Sequence, residues 1–180
     1  MIHKWIDMIY KVATGNWKTR LVLAPIVGTF YLSLIALFII LSFITYRHLH
    51  FPKATCYPWS LIIGIGLITS GLFLMLLSII YFIKEKGTPV PLSPPPKLVA
   101  TGPYRFARNP MLTGIFMQLF GLGMVSGSLS LMVVFTPLFI VINMWELKMI
   151  EEPELMKRLG QEYIEYRKRV PMFFPFHKKK

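Results

Sequence analysis

The fold class is indicated first by residues 21–46, which read LVLAPIVGTFYLSLIALFIILSFITY and contain no charged side chain. A second charge-free run covers residues 59–83. About 20 apolar residues span the ~30 Å hydrocarbon core of a bilayer, so each run is long enough to cross it. Both runs are too long for the apolar region of a cleaved signal peptide, and the first begins too deep in the chain. The sequence therefore predicts an integral, all-α membrane protein.

Composition supports a membrane protein and argues against several other classes. The 180 residues are 54% hydrophobic and only 16% charged, which is too apolar for an ordinary soluble domain. The formal net charge of +12 is read as a topology signal, and no nucleic-acid partner is expected. A single cysteine, Cys56, excludes an intramolecular disulfide and a cysteine-rich metal site, and no metal site is predicted.

Basic residues are distributed unevenly along the chain. Lys and Arg number four in residues 1–20, two in 47–58, five in 84–110 and nine in 146–180. If the apolar residues 111–148 cross twice, the three richer groups share one side. The positive-inside rule makes that side cytoplasmic, with both termini on it. We expect the inner membrane of a prokaryote, and an endoplasmic reticulum location is compatible with the same pattern.

Two features of the first half concern helix contacts. Residues 2–13 place apolar side chains at spacings of three and four, which predicts a short amphipathic helix in the membrane interface, ended by Gly15 and Asn16. The second span contains small residues that would permit close helix packing, and a cofactor loop is the alternative interpretation of its Gly-x-Gly. The small residues are Gly64, Gly66, Ser70 and Gly71.

The second half contains a proline-rich loop and a helical hairpin. Residues 84–110 include seven prolines, which predicts an extended segment without a helix and longer than an ordinary linker. Residues 111–149 give ~58 Å of helix, enough for two crossings with a turn at 126–130 and a short first limb. Polar groups inside a membrane usually face a partner or a cavity. For Gln118, an interhelical hydrogen bond and a role in a site both remain open; the other two such residues are Asn143 and Glu146.

The chain then continues into residues 153–170, where apolar side chains recur at spacings of four, four, three and four. This pattern predicts an amphipathic helix. Pro153 suits its first turn. Glu151 and Glu152 lie just before it, where acidic groups favour a helix N-terminus. The predicted apolar stripe consists of Leu155, Leu159, Tyr163, Tyr166 and Val170.

Polar clusters flank the hairpin, with Arg105, Arg108 and Asn109 before it and Glu146, Glu151 and Glu152 after it. Because a hairpin brings its ends together, we expect the two clusters to be neighbours. One interpretation is structural, with arginines that reach the headgroups and pair with glutamates. The other is a site for a charged or polyhydroxylated ligand at the cytoplasmic interface.

The motifs GPYRFARNPMLTG (102–114), EEPEL (151–155) and GQEYIEYRKRVPMFFP (160–175) resemble the isoprenylcysteine carboxyl methyltransferase superfamily, which also includes phospholipid N-methyltransferases. The resemblance covers residues from about 87 to 175, and the N-terminal half matches only as hydrophobic helices. It implies an S-adenosylmethionine-dependent membrane methyltransferase. Its C-terminal loops and helix would cover a cytosolic cofactor pocket, and its lipophilic substrate would enter from the bilayer.

The resemblance also implies site residues. Arg169 would orient a carboxylate acceptor with Tyr166 nearby, and Glu146 or Glu152 would take the proton of an ammonium acceptor. Arginine suits the carboxylate of the cofactor, and carboxylates suit its ribose hydroxyls and ammonium group. The implied cofactor-binding residues are Gly102, Pro103, Tyr104, Arg105, Arg108, Asn109, Pro110, Gly114, Glu151, Glu152 and Tyr163.

Two positions depart from the family pattern. Asn109 stands where better-known eukaryotic members have His, which excludes acid or base chemistry by a histidine there. Leu112 stands where Tyr is common, so one hydroxyl contact is missing. Both departures weaken any transfer of substrate identity to this chain.

Together these features predict about four transmembrane helices, an N-terminal interfacial helix and a C-terminal amphipathic helix. Residues 1–86 would form the anchoring part and residues 87–180 the methyltransferase core. The acceptor would be a prenylcysteine carboxylate, a phospholipid amine or a small thiol, with membrane lipids as surroundings. A sterol-reductase-like enzyme that uses NADPH and a non-enzymatic membrane scaffold are the alternatives.

Overall fold

The computed structural model describes residues 2–48, 57–85, 95 and 97–173, and these residues contain helices and no β-strand. The predictions for Cys56, for most of the 47–58 loop, for prolines 89, 91, 94 and 96 and for the last seven residues lie outside the described part. The first four helices are α1 (Ile2–Ala13), α2 (Trp17–His48), α3 (Trp59–Lys84) and α4 (Pro110–Ser126).

The remaining chain forms one long helix and a short one. A π-helical turn at Leu131–Phe135 leads into α5 (Thr136–Glu146), and a second π-helical turn at Leu147–Glu151 leads into α6 (Glu152–Leu159). These four segments run on without interruption as a single helix over Leu131–Leu159, here called the long helix. After Gly160 the chain begins α7 (Gln161–Arg169).

The predicted membrane architecture is confirmed. Three helical stretches are long and apolar enough to cross a bilayer, namely Pro25–His48, Trp59–Lys84 and Leu131–Leu159. The fourth, α4, has 17 residues, or about 26 Å at ~1.5 Å per residue, which is slightly shorter than a bilayer core. The turn predicted at 126–130 separates α4 from the long helix, and Gly127 closes α4 with a φ of 66°.

Helices α3 and α4 approach each other closely through two pairs of glycines. A Cβ on Gly114 would lie 2.5 Å from the carbonyl oxygen of Gly71, and one on Gly121 would lie 2.6 Å from that of Gly64. Each helix places its two glycines seven residues apart, so both lie on one face. Close backbone approach provides the van der Waals contact that holds membrane helices together. The packing prediction is confirmed for Gly64 and Gly71.

The packing prediction is wrong for Gly66 and Ser70. Both are exposed, and a Cβ on Gly66 would meet nothing within 4 Å. Gly64 and Gly71 are spaced by two helical turns and share the α4 face, whereas Gly66 lies about 200° further around the helix than Gly64.

Large aromatic side chains fill the space between α2, α4 and the long helix. Phe139 is fully buried and contacts Phe38 and Phe116 edge to face, at ring-centroid distances of 5.3 and 6.2 Å. Near the same ring, the hydroxyl of Tyr31 donates to Asn143 Oδ1 at 2.8 Å. The predicted intramembrane partner of Asn143 is therefore a tyrosine on α2.

The sequence left two interpretations of Gln118 open, an interhelical hydrogen bond and a role in a site. In the structure its side chain contacts the neighbouring helix α3. Its amide nitrogen donates to the carbonyl oxygen of Gly114 at 3.3 Å and lies 3.8 Å from Met75 Sδ on α3. The described contacts of Gln118 are therefore with its own helix and with α3.

The single amphipathic helix predicted for residues 153–170 is wrong. Its first half is the end of the long helix, and Gly160, with a φ of 61°, separates that end from α7. Pro153 and the two preceding glutamates therefore lie inside a continuous helix, where the predicted capping role does not apply. The π-helical turn at Leu147–Glu151 precedes Pro153 and accommodates a residue that cannot donate a backbone hydrogen bond.

The apolar stripe of that segment nevertheless packs together. Tyr163, Tyr166 and Val170 are buried in one cluster, against which Leu98, Leu155, Met156 and Leu159 pack. The helix is interrupted at Gly160, but α7 folds back on the end of the long helix, and the stripe residues on both sides of the interruption therefore pack together.

The amphipathic helix predicted for residues 2–13 is confirmed in its extent as α1. Its buried residues Ile6 and Ala13 lie on the protein side. Asp7 forms a 2.7 Å ion pair with Lys157 of α6, and the Lys157 ammonium lies 4.6 Å from the centre of the Tyr10 ring. Helix α1 is thus attached to the same end of the long helix that carries the predicted acidic cluster.

Candidate functional site

A tight loop precedes α4 at this end of the bundle. The segment Gly102–Arg105 forms one 3-10 turn, a small correction to the extended segment predicted for the proline-rich stretch. Gly102 has a φ of 59°, and a Cβ there would overlap the ring of Tyr81. Only glycine fits this position without strain. The turn buries Pro103 and Tyr104, and the Tyr104 ring lies 5.0 Å from Phe82 of α3.

The residues after α7 are held against this loop by backbone hydrogen bonds. The N–H of Arg108 donates to the carbonyl of Pro171 at 2.8 Å, and the N–H of Asn109 donates to that of Met172 at 3.0 Å. Phe173 then packs edge to face on Phe116, with ring centroids 5.3 Å apart. The chain after α7 therefore sets the position of the backbone that carries Arg108.

A buried carboxylate joins three segments of this end. Glu152 is 3% exposed, and its Oε1 accepts a close hydrogen bond from Arg108 Nη1. Its Oε2 forms an ion pair with Arg167 Nε at 3.1 Å. The side chain of Arg108 is only 10% exposed and that of Arg167 is 43% exposed. The predicted meeting of the basic and acidic clusters is realised by Arg108 and Glu152.

This buried cluster, formed by Arg108, Glu152 and Arg167, carries one excess positive charge. The Nε of Arg108 is buried and has no hydrogen-bond partner within the described part of the chain. A buried guanidinium N–H without a partner is costly, and a ligand oxygen would relieve that cost. The arrangement can therefore accept one more anionic or hydroxyl group.

A second ion pair lies beside the first. Arg158 Nε donates to Glu154 Oε1 at 2.9 Å, and the two side chains are 10% and 3% exposed. Arg158 Nη1 also donates to the carbonyl of Pro95 at 2.9 Å, which attaches the middle of the proline-rich stretch to α6. Together with the pair between Asp7 and Lys157, this contact brings three basic segments of the chain to one end of the bundle.

Three buried tyrosines surround the cluster. The hydroxyl of Tyr166 donates to the carbonyl oxygen of Tyr104 at 2.6 Å. Burial raises the pKa of Tyr163 to about 12, with the negative charge of Glu152 acting in the same direction and the positive charge of Arg108 opposing it. Burial likewise raises the pKa of Tyr104 and of Tyr166. All three phenols are therefore neutral hydrogen-bonding groups at physiological pH.

The structure brings together only part of the predicted site. Arg105 and Arg169 are exposed, and Arg169 Nε donates to the Glu165 carbonyl of its own helix at 3.4 Å. Gly114 packs against Gly71 of α3, and this close contact between helices accounts for a glycine at that position. Residues that gather around the Arg108 side chain or its backbone are Pro103, Tyr104, Asn109, Pro110, Glu152, Tyr163 and Tyr166.

The two remaining glutamates of the prediction, Glu146 and Glu151, are half-buried along the long helix. Neither forms one of the ion pairs that the structure gives among its described residues. Both lie on the π-helical turn or immediately before it.

Sequence reasoning missed Arg167, Arg158 and Glu154. Helical spacing could have identified Arg167, because it follows the buried Tyr163 by four residues and therefore lies on the same face. The same spacing relates Glu154 to Arg158, a favourable order for an ion pair within one helix. No sequence pattern pointed to the carbonyl of Pro95 as the partner of Arg158.

Parts of the chain are similar to known proteins. Residues 59–162 match the family model described as phospholipid methyltransferase. The chain is also 33% identical, over 79 residues, to the nickel-cobalt-cadmium resistance protein NccN of Alcaligenes xylosoxydans xylosoxydans. That alignment covers 44% of this chain and 36% of the relative, so the chain spans about a third of the relative's length. No solved structure matches.

Proposed function

Since the chain belongs to the phospholipid methyltransferase family, we propose that this membrane methyltransferase uses S-adenosylmethionine and methylates a lipophilic or small acceptor that arrives from the bilayer. An acceptor of the isoprenylcysteine carboxylate type is our first choice, and a phospholipid amine or a small thiol is the alternative. The residues around Arg108 would hold the cofactor.

The buried cluster is the observation that carries this proposal. S-adenosylmethionine bears a carboxylate, and a guanidinium with an unused buried N–H is suited to bind one. Glu152 holds Arg108 and Arg167 side by side, so it positions the cationic groups. We propose that Arg167, in place of the exposed Arg169, is the second arginine of the cofactor site, because Arg167 joins the cluster.

The other implied groups fit the same ligand. Tyr104 and Tyr163 offer buried aromatic surface and neutral hydroxyls for an adenine or a ribose. Glu151, which is half-buried, suits the ribose hydroxyls or the ammonium group. When bound, S-adenosylmethionine supplies an activated methyl group, and this chain contributes positioning and exclusion of water.

The chemistry of the acceptor decides whether a base is needed. A carboxylate acceptor needs none. An ammonium acceptor must lose a proton, and both oxygens of Glu152 are already paired with guanidinium groups. Glu146 is therefore the better candidate for that proton transfer.

The name of the relative concerns resistance to nickel, cobalt and cadmium, and that property is said of the relative alone. No group of three His, Cys, Asp or Glu residues that could hold a metal ion occurs among the described residues. The proposal therefore stays with methyl transfer.

The cofactor proposal is tested by calorimetric titration of the detergent-purified full chain with S-adenosylhomocysteine and, separately, with NADPH. We expect binding of S-adenosylhomocysteine and a large loss of affinity in Arg167→Gln, because that variant removes one cation of the cluster. Lys168→Gln is the matched control, since Lys168 is exposed, follows directly in α7 and carries the same charge.

Binding of NADPH alone would replace the proposal by the reductase alternative, and binding of neither by the membrane scaffold. Equal losses in Arg167→Gln and Lys168→Gln would show that the cluster is not the cofactor site. The acceptor is then identified by transfer of a labelled methyl group to lipid extracts.

We propose that residues 87–180 carry the chemistry and that residues 1–86 anchor it, although α3 and α4 pack across this division. We also propose that the end of the bundle with the Arg108 cluster faces the cytoplasm of a prokaryotic cell, because the segments rich in Lys and Arg meet there.

A further inference from the structure

An open depression on α1 lies outside the site described above. It is about 390 Å³ in volume and is lined by Lys4, Asp7, Met8, Lys11 and Val12. Lys4, Met8 and Lys11 follow at spacings of four and three, so they form one stripe on the helix surface. All three side chains are exposed. The depression therefore combines two cationic side chains with apolar surface between them.

Positive charge dominates this part of α1. Among the described residues that line the depression, Asp7 alone is acidic, and it forms a 2.7 Å ion pair with Lys157. Counting Lys4, Lys11 and Lys157 against Asp7 leaves two excess positive charges. A ligand that complements this surface is anionic.

The position of α1 relative to the bilayer narrows the class of ligand. Its buried residues Ile6 and Ala13 face the protein, while Trp5 and Met8 are 56% and 46% exposed. Exposed tryptophan is typical of the headgroup level of a membrane, and a basic amphipathic helix lies in that plane. Helix α1 is attached at Lys157, near the end of the apolar long helix.

We propose that this depression binds the headgroup of an anionic phospholipid. The phosphate lies between the ammonium groups of Lys4 and Lys11, and the adjoining lipid contacts Met8 and Val12. Because α1 packs on α6 and on the π-helical turn Leu147–Glu151, the bound lipid supports the helix from which Glu152 projects. The proposal concerns lipid binding alone and does not depend on the methyl-transfer reaction.

The test uses the full chain in phosphatidylcholine nanodiscs with and without phosphatidylglycerol, a lipid with one negative charge. Native mass spectrometry measures how much of each lipid stays bound after release from the disc. We expect preferential retention of phosphatidylglycerol. Each basic residue near an anionic surface contributes about fivefold in affinity, so the double variant Lys4→Gln and Lys11→Gln should bind roughly twenty-five-fold more weakly.

Lys18→Gln is the matched control, because Lys18 is exposed and lies beyond the end of α1. It should retain phosphatidylglycerol as the parent does. A Met8→Ala variant keeps both charges and should weaken retention of the lipid while leaving any binding of inorganic phosphate unchanged.

Three outcomes would overturn the proposal. The first is equal retention of both lipids by the parent chain. The second is the same loss in Lys18→Gln as in the double variant, which would indicate attraction by overall charge. The third is displacement of phosphatidylglycerol by inorganic phosphate, which would identify the depression as a site for free phosphate.

Discussion

Removal of the Arg108 guanidinium is the perturbation with the most clearly defined consequence. In Arg108→Met, the carboxylate of Glu152, which is 3% exposed in the parent chain, keeps only Arg167 as an ion-pair partner, and the Arg167 side chain is 43% exposed. Breaking a buried ion pair at one partner costs about 3–5 kcal/mol, because the other charge is left buried. We therefore expect a loss of unfolding free energy of that size.

The matched variant Arg167→Met removes the other partner of the same carboxylate. Because Arg167 is partly solvated, its removal should cost about 0–1 kcal/mol. The double variant Arg108→Met and Glu152→Met removes both buried charges and replaces them with apolar groups. It should recover most of the loss, since apolar replacement of a whole buried pair is often close to neutral.

Thermal unfolding of these three variants and of the single variant Glu152→Met in one detergent, followed by tryptophan fluorescence, measures these differences. For a chain of this size, 1 kcal/mol corresponds to about 2–4 °C, so Arg108→Met should lower the midpoint by on the order of 10 °C. If Arg108→Met and Arg167→Met lowered it equally, the assigned burial of the pair would be wrong. If the double variant were as unstable as the sum of its single changes, the two charges would not be coupled.

The remaining predictions concern helix packing and pH. Gly114→Ala places a Cβ 2.5 Å from the Gly71 carbonyl oxygen and should lower the free energy of unfolding by about 1–3 kcal/mol, measured by thermal unfolding. In the control Gly66→Ala the added Cβ meets nothing within 4 Å, so stability should not fall. Equal losses in the two variants would contradict the glycine contact. The folded-state pKa of Tyr163 is about 12 and its ordinary value is about 10, so stability is complete below about pH 10 and falls as the pH rises from there toward 12, by about 1.4 kcal/mol per unit. Tyr163→Phe should make that decline shallower, and an unchanged slope in midpoint against pH would refute the assignment.

Much of the fold could be predicted because the bilayer imposes local requirements. A charge-free run of sufficient length must be a helix, since no other local structure satisfies its backbone polar groups in lipid. The runs that became α2 and α3, and the hairpin after Pro110, follow from this requirement. The end of the last span could not be predicted in the same way, because a helix continues into water without any change in its hydrogen bonding.

The sequence could predict which segments of the chain form the site, but not every residue within them. The hairpin argument correctly brought Arg108 to Glu152. It could not choose between Arg167 and Arg169, because residues two positions apart point about 200° apart around a helix. The choice depends on the rotation of α7, which is set by the backbone turn at Gly160.

The amino-acid sequence by itself determined that the chain has apolar helices long enough to cross a membrane, and that basic and acidic groups end at the same side of a hairpin. These properties depend on helix length, hydropathy and chain connectivity, all of which are local or additive. Only the tertiary structure decided that Glu152 is the carboxylate between two guanidiniums, that Arg108 is buried while Arg105 is exposed, and that Gly114 serves helix packing. Those outcomes depend on how helices rotate and approach, and that is settled by the joint packing of side chains far apart in the sequence.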